Sequence, residues 1–294
     1  MKILFNEKFL QHNVDSSAEG AYRIKDFKDI ENTEVDGEKN FSLIHDKDYI
    51  KKVKEACMNN DMLAEVQLTK SSYEAAKTAV GLAVLASRQN DFAVIRPPGH
   101  HAGRSRSAGF CFFNNLAIAT QKLVNEGKKV FILDIDGHHG DGTQGIFYDT
   151  DEVFFCSIHQ LYAYPFTGME NENGEGKGEG FTMNIPLVAE SGDKEFMAAI
   201  DKAIMMAVEF NPDVIAVSAG FDGYKHDKLL NLNYSLDAFF QCGLKLRRSF
   251  GNIFAVLEGG YHNDIRKCVD SFIEGVNKGG NPPKSTWNHE MSMG

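Results

Sequence analysis

The sequence predicts an α/β protein in which helices cover both faces of one parallel β-sheet. Short continuous apolar runs recur along the chain, and polar residues do not alternate with the apolar ones inside them. Such runs are typical of strands that are buried on both faces, as in a parallel sheet. Segments with helical spacing of apolar residues separate the runs, and this alternation of strand and helix is what a doubly wound sheet requires.

The predicted elements follow one another in a regular order. The helix nearest the start of the chain is rich in alanine and leucine, and Ser71 or Ser72 is suited to cap its amino end. Ligands of doubly wound sheets bind beyond the carboxyl ends of the strands, so we expect the site in the loops that follow them. The runs that predict strands lie at 92–96, 129–134, 153–158, 213–218 and 253–257. The segments that predict helices lie at 72–88, 114–126, 193–210, 235–249 and 263–278.

Length and composition fit a globular protein and argue against several classes of partner. The chain has 294 residues, and we expect residues 1–294 to form one domain. A net charge of −10 argues against a general nucleic-acid binder and against adsorption to an anionic membrane surface. The apolar runs are too short to span a membrane, and the start of the chain is too polar for a signal peptide. The 5 cysteines form no C-x-x-C pair, which predicts free thiols in a reducing compartment and a cytoplasmic protein.

Three residues in the loops after the strands suit a catalytic metal ion. Asp136 and His138 are two residues apart, and side chains at this spacing point the same way in extended backbone. Asp222 follows a different predicted strand and can supply a third ligand. Two carboxylates and one imidazole suit Zn²⁺, Fe²⁺ or Co²⁺ and leave positions for water and substrate. A lone aspartate–histidine pair more often only caps a loop, so the metal interpretation depends on the residues around it.

The neighbouring loops carry residues that suit acid–base chemistry. His100 and His101 follow a Pro-Pro-Gly turn and can supply a base for water. Asp134 and Asp141 can hold the outer N–H of a histidine, which fixes its tautomer and raises its basicity. Tyr261, after two glycines, can donate a hydrogen bond to a developing oxyanion. Each of these residues alone has an ordinary structural explanation. Their occurrence together, next to three candidate metal ligands, favours a catalytic site over coincidence.

Five motifs resemble the histone deacetylase superfamily, which includes acetylpolyamine amidohydrolases and acetoin-utilisation proteins. They are RPPGHHA (96–102), GFCFFNN (109–115), LDIDGHHGDGTQ (133–144), SAGFD (218–222) and LEGGY (257–261). The motifs occur in the family's order, in a form similar to bacterial, class II-like members. The resemblance implies a three-layer α/β/α arginase–deacetylase fold with a parallel sheet of eight strands. It also implies a zinc-dependent amidohydrolase that removes acetyl or short acyl groups from amines such as acetyl-lysine or acetylpolyamines.

The resemblance also implies a role for each polar residue of the loops. The aspartate–histidine–aspartate set named above matches the family's zinc ligands. His101, paired with Asp141, matches the general base, and His100, paired with Asp134, matches the second histidine. Tyr261 matches the residue that polarises the amide carbonyl and stabilises the oxyanion. Some branches of the family carry histidine at this position and hydrolyse acetyl-lysine poorly, so tyrosine predicts a competent enzyme.

The same resemblance extends to substrate binding. Gly109 and Phe110 with Tyr164 would line a narrow acyl tunnel, and Leu229 would lie at its mouth. Glu65 falls where some relatives carry an acidic residue that orients the substrate backbone. One polyamine-selective branch has glutamate at the position of Leu229, so leucine removes one reason for polyamine specificity. Acetyl-lysine peptides, acetylpolyamines and other acylated amines all fit such a tunnel, and the sequence leaves this choice and the oligomeric state open.

Two sites for monovalent cations are also implied by the resemblance. A structural K⁺ would be bound by carbonyls of Asp134, Asp136 and His138, together with Ser157 and Ile158. A second monovalent site would involve Phe147, Thr150 and Val153.

An acidic, glycine-rich segment over 168–180 follows one of the predicted strand ends. We interpret it as a loop at the rim of the site rather than as a linker. Its glutamates would then attract cationic substrates to the mouth. They are Glu170, Glu172, Glu175 and Glu179.

Two other functions remain open on the sequence alone. An arginase-like ureohydrolase would share the fold but would need two metal ions in a carboxylate-rich site. A non-catalytic protein that binds acylated amines would keep the fold and lack turnover, although every catalytic position is filled here.

Overall fold

A computed structural model describes residues 1–12 and 18–280, and its central feature is a parallel sheet of seven strands. The strand order is β1-β4-β9-β8-β5-β6-β7, and all neighbours in this sheet run parallel. The sheet strands are β1 (Ile3–Leu4), β4 (Phe92–Ala93), β5 (Val130–Asp134), β6 (Val153–Gln160), β7 (Thr182–Leu187), β8 (Val214–Ala219) and β9 (Ile253–Leu257), and a separate antiparallel hairpin consists of β2 (Met62–Leu63) and β3 (Val66–Gln67).

Helices pack in two groups around the sheet, which gives the three layers that the sequence predicts. The first group contains α1, α2 and α3, and the second contains α5, α6 and α7. Among the described residues, no helix is long and apolar enough to cross a bilayer. The helices are α1 (Lys47–Asn59), α2 (Lys70–Gln89), α3 (Asn115–Val124), α4 (Asp141–Phe147), α5 (Asp193–Phe210), α6 (Leu236–Ser249) and α7 (Ile265–Lys278).

The apolar runs form the core. Every residue of β5, β8 and β9 is buried, which explains why the runs do not alternate. Phe131 and Phe154, on neighbouring strands, stack with ring centroids 4.9 Å apart. The α/β fold with a parallel sheet is therefore confirmed, and the 5 cysteines are free and buried in this core.

The expected eighth strand is reduced to a single bridge at the edge of the sheet. Asn32 pairs in parallel with Phe5, beside β1, and the N–H of Thr33 donates to the Phe5 carbonyl at 2.9 Å. Pairing stops there because the next segment, Glu7–Gln11, turns into a 3₁₀ helix. The Asn32 side chain accepts the N–H of Glu7 at 2.7 Å instead of continuing a ladder.

Local details differ from the prediction in three other places. The cap of α2 is Thr69, and Ser72 lies at its third position, where the two residues form a reciprocal capping box. The strand predicted at 92–96 ends at Ala93, because the chain leaves the ladder before Arg96. Helices α1 and α4 lie outside the segments that the sequence predicts to be helical.

A buried ion network joins the beginning of the chain to the end of β4. Glu19 is fully buried and accepts hydrogen bonds from Arg96 (2.6 Å to Nε) and Arg23 (2.8 Å to Nη1). Arg96 also donates to the carbonyl of Phe9 at 2.8 Å. Burial alone would raise the pKa of Glu19, but the charges of Arg96 and Arg23 outweigh it and lower that pKa to about 2. The Glu19 carboxylate thus supplies the negative charge that compensates two buried guanidinium groups.

We predict that Glu19→Gln lowers the free energy of unfolding by about 3–5 kcal/mol at pH 7, because it leaves buried charges unpaired. A folded pKa below the ordinary 4.5 means that Glu19 stabilises the fold above pH 4.5. This contribution is lost as the pH falls towards 2, so the free energies of unfolding of wild type and variant should become more alike there. Denaturant unfolding of both proteins between pH 7 and pH 3 measures the difference.

Glu34→Gln is the control, since Glu34 pairs with Lys8 at the surface with 66% of its side chain exposed. It should change stability by less than about 1 kcal/mol. A pH-independent difference for Glu19→Gln would contradict the assignment of the depressed pKa.

Candidate active site

The loops that follow β4, β5, β8 and β9 converge at the carboxyl edge of the sheet. The N–H of Ile135 donates to Ser218 at 3.0 Å, which joins the loop after β5 to β8. The N–H of Phe221 donates to Gly259 at 3.1 Å, which joins the loops after β8 and β9. Polar side chains of all four loops therefore meet in one place, as expected for a doubly wound sheet.

Asp136, His138 and Asp222 form a buried cluster with ligand atoms within 4.8 Å of one another. Nδ1 of His138 lies 2.5 Å from Oδ2 of Asp222 and 3.4 Å from Oδ1 of Asp136. Both carboxylates are fully buried, and the histidine is 8% exposed. Two oxygen donors and one nitrogen donor at this spacing can bind a divalent ion of the zinc type.

Backbone N–H groups hold the two carboxylates in place. Asp136 accepts from Gly259 at 2.7 Å and from His138 at 2.9 Å. Asp222 accepts from Gly137 at 2.6 Å. Glycine is required at 259, because a Cβ there would lie 2.5 Å from Oδ2 of Asp136. The glycines of these motifs therefore allow the main chain to approach the carboxylates closely.

The crowding of negative charge shifts the pKa values of the cluster. Burial alone would lower the pKa of His138, but the carboxylates of Asp222 and Asp136 raise it to about 10. Burial, followed by the neighbouring charge of Asp136, raises the pKa of Asp222. In the metal-free chain the cluster therefore retains protons that a divalent cation would displace.

Two histidines, each paired with a carboxylate, lie beside this cluster. Nδ1 of His100 is 3.1 Å from Asp134, and Nδ1 of His101 is 2.7 Å from Asp141. Burial, and then the charge of His100, lower the pKa of His101 to about 3, while the acidic neighbours of His100 outweigh burial and raise its pKa. A neutral His101 that donates from Nδ1 has its lone pair at Nε2, where it can accept a proton.

Tyr261 lies on the other side of His138, with ring centroids 6.4 Å apart. Its backbone N–H donates to Asp227 at 2.6 Å. The guanidinium of Arg23 lies 4.9 Å from the centre of the Tyr261 ring and donates to the carbonyl of Gly260 at 2.6 Å. Two charged residues therefore set the position of the phenol.

Arg23 and Asp227 are not among the site residues that the sequence predicts. Both lie outside the five motifs by which the chain resembles the histone deacetylase superfamily. The Glu19–Arg23 spacing of four residues is a visible signal for an ion pair. Nothing near Arg23 in the sequence indicates its contact with Gly260, 237 positions away, and nothing near Asp227 indicates its contact with Tyr261, 34 positions away.

The expected substrate-binding residues surround the gap between His101 and Tyr261. Gly109 packs against the His101 ring so closely that any Cβ would collide with it, and its φ of +50° also favours glycine. The Tyr164 ring centroid is 5.2 Å from that of His101, and the Phe110 centroid is 6.0 Å from that of Tyr261. Two aromatic side chains thus face the site from opposite loops.

Glu65 and Leu229 lie further out. Glu65 is in the turn between β2 and β3, where Ala64 accepts the N–H of Phe110 at 3.3 Å. Burial, followed by the charge of Glu65, raises the pKa of Tyr164 to about 12, which places Glu65 near that ring. Leu229 is 47% exposed, and its N–H donates to Asp227 at 2.8 Å, beside the Tyr261 loop.

The residues expected at cation sites lie at two ends of β6. Asp134 is the last residue of β5 and is in register with Ser157. Asp136 and His138 follow in the loop after β5. Phe147 ends α4, Val153 begins β6, and Thr150 accepts the N–H of Glu152 between them at 3.2 Å. The K⁺ site and the second monovalent-cation site therefore stay predictions.

The expectation of an acidic rim is wrong for Glu172, Glu175 and Glu179. Glu172 is half-buried and accepts hydrogen bonds from the Gln144 amide (2.6 Å) and two backbone N–H groups. The N–H of Glu175 donates to Tyr148 at 2.9 Å, just after α4, and Glu179 precedes the start of β7. The segment must return to the amino edge of the sheet because β6 and β7 are parallel.

Comparisons with known proteins agree with this geometry. The model of the histone deacetylase domain matches residues 7–276. A "Probable deacetylase" of Archaeoglobus fulgidus is 46% identical over 180 residues, which are 59% of this chain and 50% of that protein. "Acetylpolyamine amidohydrolase 1" of Pseudomonas aeruginosa is 39% identical over 207 residues, 67% of this chain and 60% of that protein. The chain spans about half the length of the curated relatives it matches.

A solved structure shows the same fold. The crystal structure of the HDA15 HD domain superposes with a TM-score of 0.87 at 27% identity. The superposition covers 92% of this chain and 87% of that chain. The fold of this chain therefore belongs to a known architecture.

We predict that Zn²⁺ binding to the metal-free protein at pH 7 releases roughly one proton per ion, because the ion displaces the proton on His138. Calorimetry in buffers of different ionisation enthalpy measures this number. His138→Ala should weaken binding by at least about 100-fold, while His226→Ala, at an exposed histidine, should not change it. Binding without proton release, or equal affinity of the two variants, would contradict the assignment of the cluster.

Proposed function

Because the chain belongs to the histone deacetylase domain family, we propose that it is a metal-dependent amidohydrolase that removes acetyl or short acyl groups from amines. The observation that carries the proposal is the buried Asp136–His138–Asp222 cluster with His101 and Tyr261 on either side of it. These groups provide a divalent-ion site, a base and a hydrogen-bond donor within one small volume, as hydrolysis of an amide requires.

The residues of the cluster fit a zinc ion. Asp136, His138 and Asp222 would hold it, and the same donors suit Fe²⁺ or Co²⁺. When bound, such an ion supplies Lewis acidity, which polarises the acyl carbonyl and lowers the pKa of water. Excess negative charge and hydrogen-bonded carboxylates favour a cation at this point over any neutral ligand.

His101 acts as the general base in this proposal. Its Nε2 accepts a proton from the water that attacks the acyl carbon, and Asp141 stabilises the imidazolium that forms. Arg106 donates to the second oxygen of Asp141 at 2.5 Å and keeps that carboxylate oriented. The proton then passes from His101, or from His100 with its partner Asp134, to the nitrogen of the leaving amine.

Tyr261 stabilises the oxygen that becomes negatively charged. Burial outweighs the effect of Arg23 and raises the pKa of the phenol well above its usual range, so the hydroxyl keeps its proton and can donate it in a hydrogen bond. Phe110 and Tyr164 enclose the alkyl chain next to the amide, and Gly109 leaves space beside the base. Exclusion of water strengthens these electrostatic contacts.

The mouth of the site favours an acylated amine with an apolar outer part. Phe166 and Tyr162 are 72% and 73% exposed on the loop that carries Tyr164, and Leu229 is 47% exposed on the opposite loop. Glu65 is an acidic group close to Tyr164 and can accept an N–H from a peptide backbone. We therefore propose acetyl-lysine peptides as better substrates than acetylpolyamines, although one relative is named as an acetylpolyamine amidohydrolase.

The cation sites, domain limits and compartment complete the proposal. K⁺ would bind at Asp134, Asp136, His138, Ser157 and Ile158, with a second monovalent ion at Phe147, Thr150 and Val153. We propose one domain over residues 1–294, because the family model spans 7–276 and the described helices pack around one sheet. Five buried free thiols support a cytoplasmic location.

We predict that His101→Ala and Tyr261→Phe each lower kcat on an acetyl-lysine peptide by at least about 100-fold, through loss of the base and of an oxyanion donor. Zinc content and thermal unfolding should stay near those of wild type. His226→Ala is the control at an exposed position and should keep full turnover. Near wild-type turnover of both active-site variants would contradict the assigned roles.

We predict that Phe166→Ser lowers kcat/KM by about tenfold for a peptide with aromatic residues next to acetyl-lysine, because it removes apolar contact area. The value for N-acetyl-lysine itself should be nearly unchanged. Met205→Ser on α5, at a side chain that is 64% exposed, is the control. An equal loss on both substrates, or higher kcat/KM for acetylpolyamines than for all peptides, would count against an apolar mouth.

A further inference from the structure

Glu258 is a buried carboxylate whose side chain reaches the turn that carries His100 and His101. It follows β9 directly and has no exposed surface. Its Oε2 accepts the backbone N–H groups of Gly99 at 2.7 Å and of His100 at 3.1 Å. One carboxylate oxygen thus anchors two successive peptide groups of the turn.

The main chain of Glu258 is fixed on the other side of the site. Its N–H donates to Ala219 at 3.1 Å, and its carbonyl accepts from Arg23 at 2.5 Å. The next residue, Gly259, donates to Asp136 at 2.7 Å. The loop that ends in Tyr261 is therefore held by the metal cluster and by a guanidinium, and the Glu258 side chain extends from this loop to the histidine turn.

We propose that Glu258 is a positioning residue that sets the distance between His101 and Tyr261, a role that rests on the proposed amidohydrolase function. The base and the oxyanion donor must act on the two ends of one carbonyl, although they come from different loops. A displacement of about 1 Å between such groups costs on the order of 100-fold in rate. Without Glu258, two buried N–H groups of the turn would lose their acceptor, and the turn would move to find another.

The contacts of the two carboxylate oxygens indicate which substitution should preserve the connection. Within residues 1–12 and 18–280, Oε1 has no hydrogen-bond partner, and Oε2 makes both contacts to the turn. A glutamine whose carbonyl takes the place of Oε2 can accept both N–H groups. A leucine fills similar space and accepts neither.

The first experiment compares the kinetics of Glu258→Leu and Glu258→Gln. We expect kcat of Glu258→Leu to fall about 100-fold with KM changed less than about threefold, and Glu258→Gln to stay within about fivefold of wild type. Asp91→Leu is the matched control, since Asp91 is a buried carboxylate that accepts the N–H of Lys2 at 2.6 Å at the opposite edge of the sheet. It should lower stability and leave kcat unchanged.

A double-mutant cycle with Tyr261→Phe separates positioning from general damage. If Glu258 acts through the geometry of His101 and Tyr261, the double variant should lose less kcat than the product of the fold-losses of Glu258→Leu and Tyr261→Phe. Fully multiplicative losses, or turnover of Glu258→Leu within about threefold of wild type, would overturn the proposal.

Hydrogen exchange of the turn provides a readout that does not depend on activity. In metal-free protein, the amides of Gly99 and His100 should exchange at least about tenfold faster in Glu258→Leu than in wild type or Glu258→Gln. Unchanged exchange would overturn the connection itself. Faster exchange in a protein with no amidohydrolase activity on any substrate would reject the proposed function and keep the connection.

Glu258→Asp serves if Glu258→Leu does not fold, because it keeps a buried carboxylate and withdraws it from the turn. Its kcat should then lie at least about tenfold below that of Glu258→Gln, at equal zinc content. Equal kcat for the aspartate and glutamine variants would overturn the proposal.

Discussion

The burial of two carboxylates side by side at the carboxyl edge of the sheet is the constraint on which the rest of the site depends. Asp136 and Asp222 have no exposed surface, and like charges in a medium of low dielectric constant repel strongly. Backbone N–H groups from the loops after β5 and β9 and the imidazole of His138 offset this repulsion. The loops after β5, β8 and β9 must therefore meet, and glycine must occupy the places where their main chains touch the carboxylates.

Charges around this cluster give two neighbouring histidines different pKa values. His100 and His101 are adjacent, with ring centroids 4.1 Å apart, yet the pKa of one is raised and that of the other is lowered. The difference arises because the charges of Asp136 and Asp134 outweigh burial at His100, whereas burial and the charge of His100 outweigh the effect of Asp141 at His101. One histidine thus stays charged and the other stays able to accept a proton.

How far the sequence predicts this protein depends on the distance over which each feature is determined. The apolar runs predict the buried strands because their pattern is local, and the DIDGHH segment carries both Asp136 and His138. Asp222 could be assigned because strand ends of a parallel sheet share one edge. The contacts of Arg23, Asp227 and Glu258 link distant segments, so local pattern contains no sign of them. The acidic composition of residues 168–180 does not show that this crossover between parallel strands returns to the amino edge of the sheet, so the expected acidic rim is wrong for Glu172, Glu175 and Glu179.

The contacts of Arg23 tie the earliest part of the chain to one of the latest. The Arg23 side chain donates to carbonyls 235 and 237 positions further on, at Glu258 and Gly260. During synthesis on the ribosome, Arg23 and its partner Glu19 are made long before these acceptors exist. The loop that carries Tyr261 can therefore take its final position only when nearly the whole family domain has left the ribosome. A nascent or truncated chain that stops before residue 258 would contain the metal ligands and both histidines, and would still lack an assembled site.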